Sequence, residues 1–316
     1  MKKNAFLFSG QGSQYAGMGK ELAENYPAVG NIFTLGSEIL GFDLLKKIEN
    51  NELDSTLTVQ PAVFAVSVSA LLCFREHARQ AGNFASDGSA SVAGHSLGEY
   101  AALFACGSVS LEDGFKLLKI RSEVMHKAAQ NAKGGMAAVL GCGANLVEEV
   151  CREISEKGDY ITAVNYNSPV QTVVAGVETA LEKAEKLMLE RGARRFTKLN
   201  VAAAFHSDLM KGAAEEFKEK ITEISFKAPE IPFYSNVTGK KLEDFSDMPA
   251  YLAKHICSPV RFTDQLFAMQ ADGFDAFLEL GPGKVLSGLV KKTLPDATVG
   301  NVEDVKSLES AKEALL

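Results

Sequence analysis

The five cysteines of this 316-residue chain, Cys73, Cys106, Cys142, Cys151 and Cys257, are odd in number, and no two stand at C-x-x-C spacing. That spacing would mark a zinc or redox site, so they read instead as reduced core thiols of a cytosolic protein. No other metal-ligand cluster and no cofactor signature is present. A basic excess is also missing: the net charge of −7 leaves no general footprint for nucleic acid or anionic lipid, and an acidic partner would have to find a local basic patch. The glycine-bearing loop Ser9-Gly10-Gln11-Gly12-Ser13-Gln14 has neither G-x-G-x-x-G nor G-x-x-x-x-G-K-[ST] spacing, which removes dinucleotide and Walker-type phosphate sites. After Met1-Lys2-Lys3 only Ala5-Phe6-Leu7-Phe8 is apolar, too short for a signal segment. No stretch reads as a membrane span. The expectation is a cytoplasmic protein, monomeric by default.

What is there begins with Gly94-His95-Ser96-Leu97-Gly98. It follows the strand-like Ala90-Ser91-Val92-Ala93 and leads into the helix-like Glu99-Tyr100-Ala101-Ala102-Leu103-Phe104-Ala105. This is a G-x-S-x-G nucleophile elbow in the context it requires. The glycines let a strand turn sharply into a helix and lift the Ser96 hydroxyl clear of the backbone. A tight turn with a capping serine would share the pentapeptide, but strand, helix and the adjacent His95 favour the nucleophile.

A hydrophobic content of 46% over this length supports one large core with a smaller satellite. Ala5–Phe8 reads as a buried strand, 60–75 as a buried helix beneath the elbow, and 111–129 as an amphipathic helix. From Gly134 the texture changes. Strands are predicted at 136–140, 160–164, 172–175 and 194–201, helices at 145–157 and 178–191, and a turn over Asn165–Pro169. The order β-α-β-β-α-β is the split βαβ, ferredoxin-like pattern. Further strands are predicted at 232–237 and 274–280. The expected fold class is α/β: an α/β-hydrolase-like catalytic core of residues 1–131 and 202–316 with an inserted ferredoxin-like (βαββαβ) subdomain at 132–201.

A serine nucleophile needs a base, and the chain has only five histidines: His77, His95, His126, His206 and His255. His206, in Ala203-Ala204-Phe205-His206-Ser207, stands where the chain returns from the subdomain to the core, and nucleophile before base is the order of α/β-hydrolase sites. His95 should line the pocket, because neighbouring side chains at a turn diverge. His77 and His126 read as solvated residues on polar-faced helices.

The motifs together resemble malonyl-CoA:acyl-carrier-protein transacylases and the acyltransferase domains of polyketide and fatty acid synthases. The matches run in order: Phe8 to Gln14, Gly94 to Glu99, Arg121 with Met125, Asn165-Tyr166-Asn167-Ser168-Pro169, Ala204 to Ser207, Ser258-Pro259-Val260 and Glu279 to Lys284. The resemblance implies that Ser96 takes the acyl group while His206 serves as base and then acid, and that the backbone N–H groups of Gln11 and Leu97 form the oxyanion hole. It further implies that Arg121 grips the malonyl carboxylate and that Asn167 and Phe205 shape the cleft. Phe205 would leave little room for a 2-methyl branch.

Two positions depart from the pattern. His255 stands where the family often has Gln or Asn, whose carbonyl orients the catalytic histidine; a side-chain role for His255 in the substrate pocket stays open. Arg121 is followed by Ser122 where glycine is usual. The implied partners are malonyl-CoA and an acyl carrier protein, with no cofactor. Candidates for docking an acidic carrier are Lys183, Lys186, Arg191, Arg194, Arg195, Lys284, Lys291 and Lys292. Supply of fatty acid synthesis is the first expectation, and a trans-acting acyltransferase of a polyketide assembly line its alternative. A serine esterase or thioesterase would share Ser96 and His206 without using Arg121, and a non-catalytic binding subunit would need neither.

Overall fold

Two sheets organise the residues described by the computed structural model, 3–80, 90–131, 134–201 and 203–315. Their strands are β1 (Asn4–Phe8), β2 (Ala90–Gly94), β3 (Gly135–Leu140), β4 (Ile161–Ser168), β5 (Gln171–Gly176), β6 (Arg195–Lys198), β7 (Phe233–Tyr234), β8 (Ala276–Leu280) and β9 (Thr298–Val302). The first sheet is parallel, in the order β7-β2-β1-β8-β9, and the second antiparallel, in the order β4-β5-β3-β6. The fold is therefore mixed α/β.

The central parallel strands β1, β2 and β8 are short, largely apolar runs because both of their faces are covered, whereas the edge strand β9 is half-buried. Phe6, Phe8, Val92 and Leu278 join the large core on one face, while Ala5, Leu7, Ala93 and Phe277 join a second cluster on the other. The antiparallel sheet alternates similarly. Ala137, Val139 and Val174 pack beneath the helices Ala144–Ser155 and Glu178–Glu190, whereas Met136, Val173 and Ala175 turn towards the large core. Chain order places the crossovers on opposite sides of β1: β2 lies to one side and β8 to the other. A ligand crevice belongs at the carboxyl ends of strands beside such a switch.

Several expectations change. Asn165–Pro169 is not a turn: β4 continues to Ser168 and the turn is Pro169-Val170. The polar residues are held in the strand because their backbone is paired on both sides, with β5 through two register shifts and with Val260, which accepts from Tyr166 N at 2.9 Å and donates to Val164 O at 2.7 Å. The strand expected at 232–237 is only two residues long, since Ser235 and Asn236 leave the sheet to make other hydrogen bonds. The strand expected at 194–201 ends at Lys198, and residues 199–201 border a cleft. The helix Thr56–Gln80 is, contrary to expectation, long and apolar enough to cross a membrane. Most of it is buried, and it is apolar all round because it runs through the core. Residues 132, 133 and 202, at the expected domain junctions, lie outside the described residues.

Candidate active site

The carboxyl ends of β1 and β2 meet under the elbow. Gly94 and Gly98 are required there by close approach: a Cβ on Gly94 would stand 2.1 Å from the Gly98 carbonyl carbon, and one on Gly98 2.0 Å from Phe8 O. The helix Gly98–Ala105 can therefore start directly against β1. Ser96 sits between them with φ of 51°, in the left-handed region that costs a non-glycine residue about 1–3 kcal/mol and persists only where its surroundings over-determine it. His206 also has positive φ, 59°.

These two strained residues face each other. Ser96 Oγ lies 2.7 Å from His206 Nε2. On the far side of the ring, Nδ1 is 3.1 Å from both His255 O and Ser258 O. Carbonyls only accept, so the proton belongs on Nδ1 and Nε2 is left to accept from Ser96. Burial, then the Arg121 charge and then His95 push the His206 pKa down to about 3, which keeps the imidazole neutral near pH 7.

Arg121, on the helix Leu111–Asn131, is 1% exposed and brings Nη2 to 3.3 Å from Ser96 Oγ. Its guanidinium lies over the Tyr100 ring, 5.2 Å from the centroid. Among the described residues it forms no ion pair, and its Nε is buried without an acceptor. Burial lowers its pKa. A buried cation without a carboxylate partner is suited to an anionic ligand, since that ligand would supply the missing counter-charge.

The cleft around these groups has a volume of about 280 Å³. Gln11, His95, Ser96, Arg121, Phe205 and His206 all border it, as expected. The amides of Gln11 and Leu97 have no acceptor among the described residues. Asn167 reaches the site indirectly, its Oδ1 accepting from His95 Nε2 at 2.8 Å, while Asn165 of the same strand borders the cleft. His255 departs from the expectation of a substrate-contacting side chain. Its ring is fully buried behind His206, with centroids 5.6 Å apart, and its backbone carbonyl is what reaches the site. His77 and His126 bond to Tyr26 and Gln130, away from the cleft.

Sequence reading gave no role to the polar group beneath the elbow. Asn236 accepts from Ser96 N at 2.7 Å and donates to Gly94 O at 2.6 Å, and its own amide donates to Glu99 Oε2 at 2.8 Å. Glu99 is completely buried, and Tyr251 Oη lies 2.6 Å from its Oε1. Burial raises the Glu99 pKa to about 7. The available signal was a lone carboxylate opening an otherwise apolar helix.

Residues 5–313 match the acyl transferase domain family, and the chain belongs to it. A malonyl CoA-acyl carrier protein transacylase of Bacillus subtilis (strain 168) is 39% identical over 318 residues, covering 100% of this chain and 98% of that protein. Among solved structures, MCAT from Streptococcus pneumoniae has a TM-score of 0.91 at 38% identity, covering 99% of this chain and 100% of that one. A malonyl-transacylase solved in complex with a type II PKS acyl-carrier protein has a TM-score of 0.91 at 33% identity, covering 99% of each chain.

Proposed function

We propose that this protein transfers a malonyl group from malonyl-CoA to the phosphopantetheine thiol of an acyl carrier protein through an acyl-serine. The observation that carries the reading is the convergence of His206 Nε2 and Arg121 Nη2 on the one oxygen, Ser96 Oγ. Ser96 Oγ attacks the thioester carbonyl while its proton passes to His206 Nε2. The tetrahedral oxyanion is held by the Gln11 and Leu97 amides, each such donor being worth about 3 kcal/mol in the transition state. Collapse breaks the C–S bond, the departing CoA thiolate takes the proton from His206, and the malonyl ester remains on Ser96. The carrier thiol then repeats the sequence in reverse.

Arg121 binds the free carboxylate of the malonyl group through its planar fork. Phe205 narrows the cleft against a 2-methyl branch, and Asn167 holds His95 in the wall. The finer fold reading is an α/β-hydrolase-like core, 1–131 and 202–316, around a ferredoxin-like insert, 132–201. The β-α-β-β-α-β element order and the sheet order β4-β5-β3-β6 support the insert. The same reading takes the protein as a cytoplasmic monomer that supplies fatty acid synthesis and uses no cofactor of its own. A polyketide assembly line is the second reading, favoured by the polyketide carrier seen with one structural relative.

Carrier docking falls on Arg194, Arg195 and Lys292, which border a second depression of about 380 Å³. The other candidates are partly engaged: Lys183 with Asp159, Arg191 with Glu149 and Glu153, and Lys284 with Glu303. Charge reversal at Arg194 and Arg195 should raise KM for the carrier and leave acylation by malonyl-CoA unchanged.

The test of the activity is intact-mass measurement after incubation with malonyl-CoA, methylmalonyl-CoA or acetyl-CoA, beside Ser96→Ala, followed by holo carrier protein. A malonyl adduct absent from Ser96→Ala and discharged onto the carrier supports transfer. Release of free malonate without an adduct would favour a hydrolase instead.

A further inference from the structure

Ser96 cannot hold its left-handed backbone unaided, and the hydrogen bonds around it identify what does. The carboxamide of Asn236 spans the elbow: Oδ1 accepts from Ser96 N at 2.7 Å and Nδ2 donates to Gly94 O at 2.6 Å. An N–H on one side and a carbonyl on the other fix the amide's orientation, since the flipped form would face donor to donor and acceptor to acceptor. Asn236 is completely buried and does not border the cleft, so it has no route to substrate.

The amide is anchored in turn. Asn236 N donates to Glu99 Oε2 at 2.8 Å, and Glu99 stands three residues beyond Ser96 on the elbow helix. The other carboxylate oxygen is 2.6 Å from Tyr251 Oη, on the helix Met248–Cys257. That helix contains His255 and is followed by Ser258, the two residues whose carbonyls face His206 Nδ1. One buried chain of hydrogen bonds thus links the backbone of the nucleophile to the segment that orients the base.

We infer that Asn236 is a positioning residue of the acyl transfer reaction, holding Ser96 in its reactive backbone conformation and, through Glu99 and Tyr251, in register with His206. This rests on the reading of Ser96 as nucleophile. The ionisable groups around Asn236 are Glu99 on its amide, Tyr251 and His255 on the same carboxylate, the latter with Nδ1 3.9 Å from Glu99 Oε1, and Arg121, His95 and His206 across Ser96. Arg261 donates its backbone N–H to Asn236 O while its guanidinium pairs with Asp264.

The test uses a fluorophosphonate probe, which carries neither malonyl nor CoA. Ser96 Oγ attacks phosphorus, the P–F bond breaks, fluoride leaves and the hydroxyl proton passes to His206. Asn236→Ala is expected to slow this labelling about 10²-fold, the cost of displacing a reacting atom by about 1 Å, with KM for malonyl-CoA unchanged. Asn236→Asp gives a signature that a merely structural role would not. As a carboxylate it sets an acceptor against Gly94 O; once protonated it again offers one acceptor and one donor. Its labelling rate should therefore rise as pH falls through the range in which His206 stays neutral and wild-type labelling is level.

Wild-type labelling rates in a folded Asn236→Ala would overturn the inference, as would an Asn236→Asp profile parallel to wild type. Should Asn236→Ala fail to fold, the Asn236→Asp profile decides alone. Wild-type protein that is labelled at Ser96 but forms no malonyl adduct refutes the malonyl reading and leaves this one standing; wild-type protein that resists the probe refutes both.

Discussion

Arg121 Nη2 stands 3.3 Å from Ser96 Oγ, the same oxygen that faces His206 Nε2 at 2.7 Å. On the proposed function, this fixed cation selects an acyl group that carries an anion close to its carbonyl. Arg121→Ala is expected to lower kcat/KM for malonyl-CoA by about 10²-fold or more, the loss of a buried charge-assisted pair. Acetyl-CoA, which has no carboxylate, should lose far less. Acylation rates for the two thioesters, measured side by side, check this.

Phe205 lies on the cleft wall beside His206, and the proposed function gives it the room available at the acyl C2. Phe205→Ser should improve kcat/KM for methylmalonyl-CoA relative to malonyl-CoA by roughly 10-fold or more, within the range one methyl group can supply. Competition between the two thioesters, read by intact mass, gives the ratio directly.

Gly98→Ala would drive a methyl group to 2.0 Å from the Phe8 carbonyl oxygen. Phe8 cannot retreat, because β1 is paired with both β2 and β8. The substitution is expected to cost about 1–3 kcal/mol, the usual range for overpacking, and to slow Ser96 acylation as well. Denaturant unfolding and single-turnover acylation would register the two effects separately.

Acid should destabilise the protein through its buried imidazoles. His206 titrates near 3 in the folded chain against 6.5 as the ordinary value, and burial also lowers His95 and His255. Between those limits the unfolded chain binds more protons, so stability present above about pH 6.5 is lost as pH falls towards 3. Glu99, raised to about 7, acts in the opposite sense between its ordinary 4.5 and 7. The melting temperature of His206→Gln should therefore fall less steeply below pH 6 than that of wild type.

The elbow was legible because its requirement is local: two glycines, a serine and the switch from strand to helix lie within a dozen residues. The βαββαβ order was legible for the same reason, each element announcing its own period. His206 stood out through scarcity and position. Asn236 did not, because its bond to Ser96 spans 140 residues and nothing in the local sequence announces it. The extension of β4 through Asn165 and Asn167 was hidden likewise, since polar residues that read as a turn are held extended by Val260, far along the chain. The buried helix over 60–75 was legible from its apolar run, but its full extent, Thr56–Gln80, and its membrane-spanning apolarity were not, because scattered serines and Gln60 interrupt the run.

Val260 lies two residues beyond Ser258, whose carbonyl faces the base, and it is bridged to Asn165 of β4 with Pro259 stiffening the link between them. The antiparallel sheet and the His206 imidazole are therefore joined by a lever three residues long. Widening the cleft by swinging that sheet outward would pull Ser258 O away from Nδ1. His255 O would then be the one carbonyl left to the Nδ1 proton, so an opening at that sheet would loosen the orientation of the ring without abolishing it.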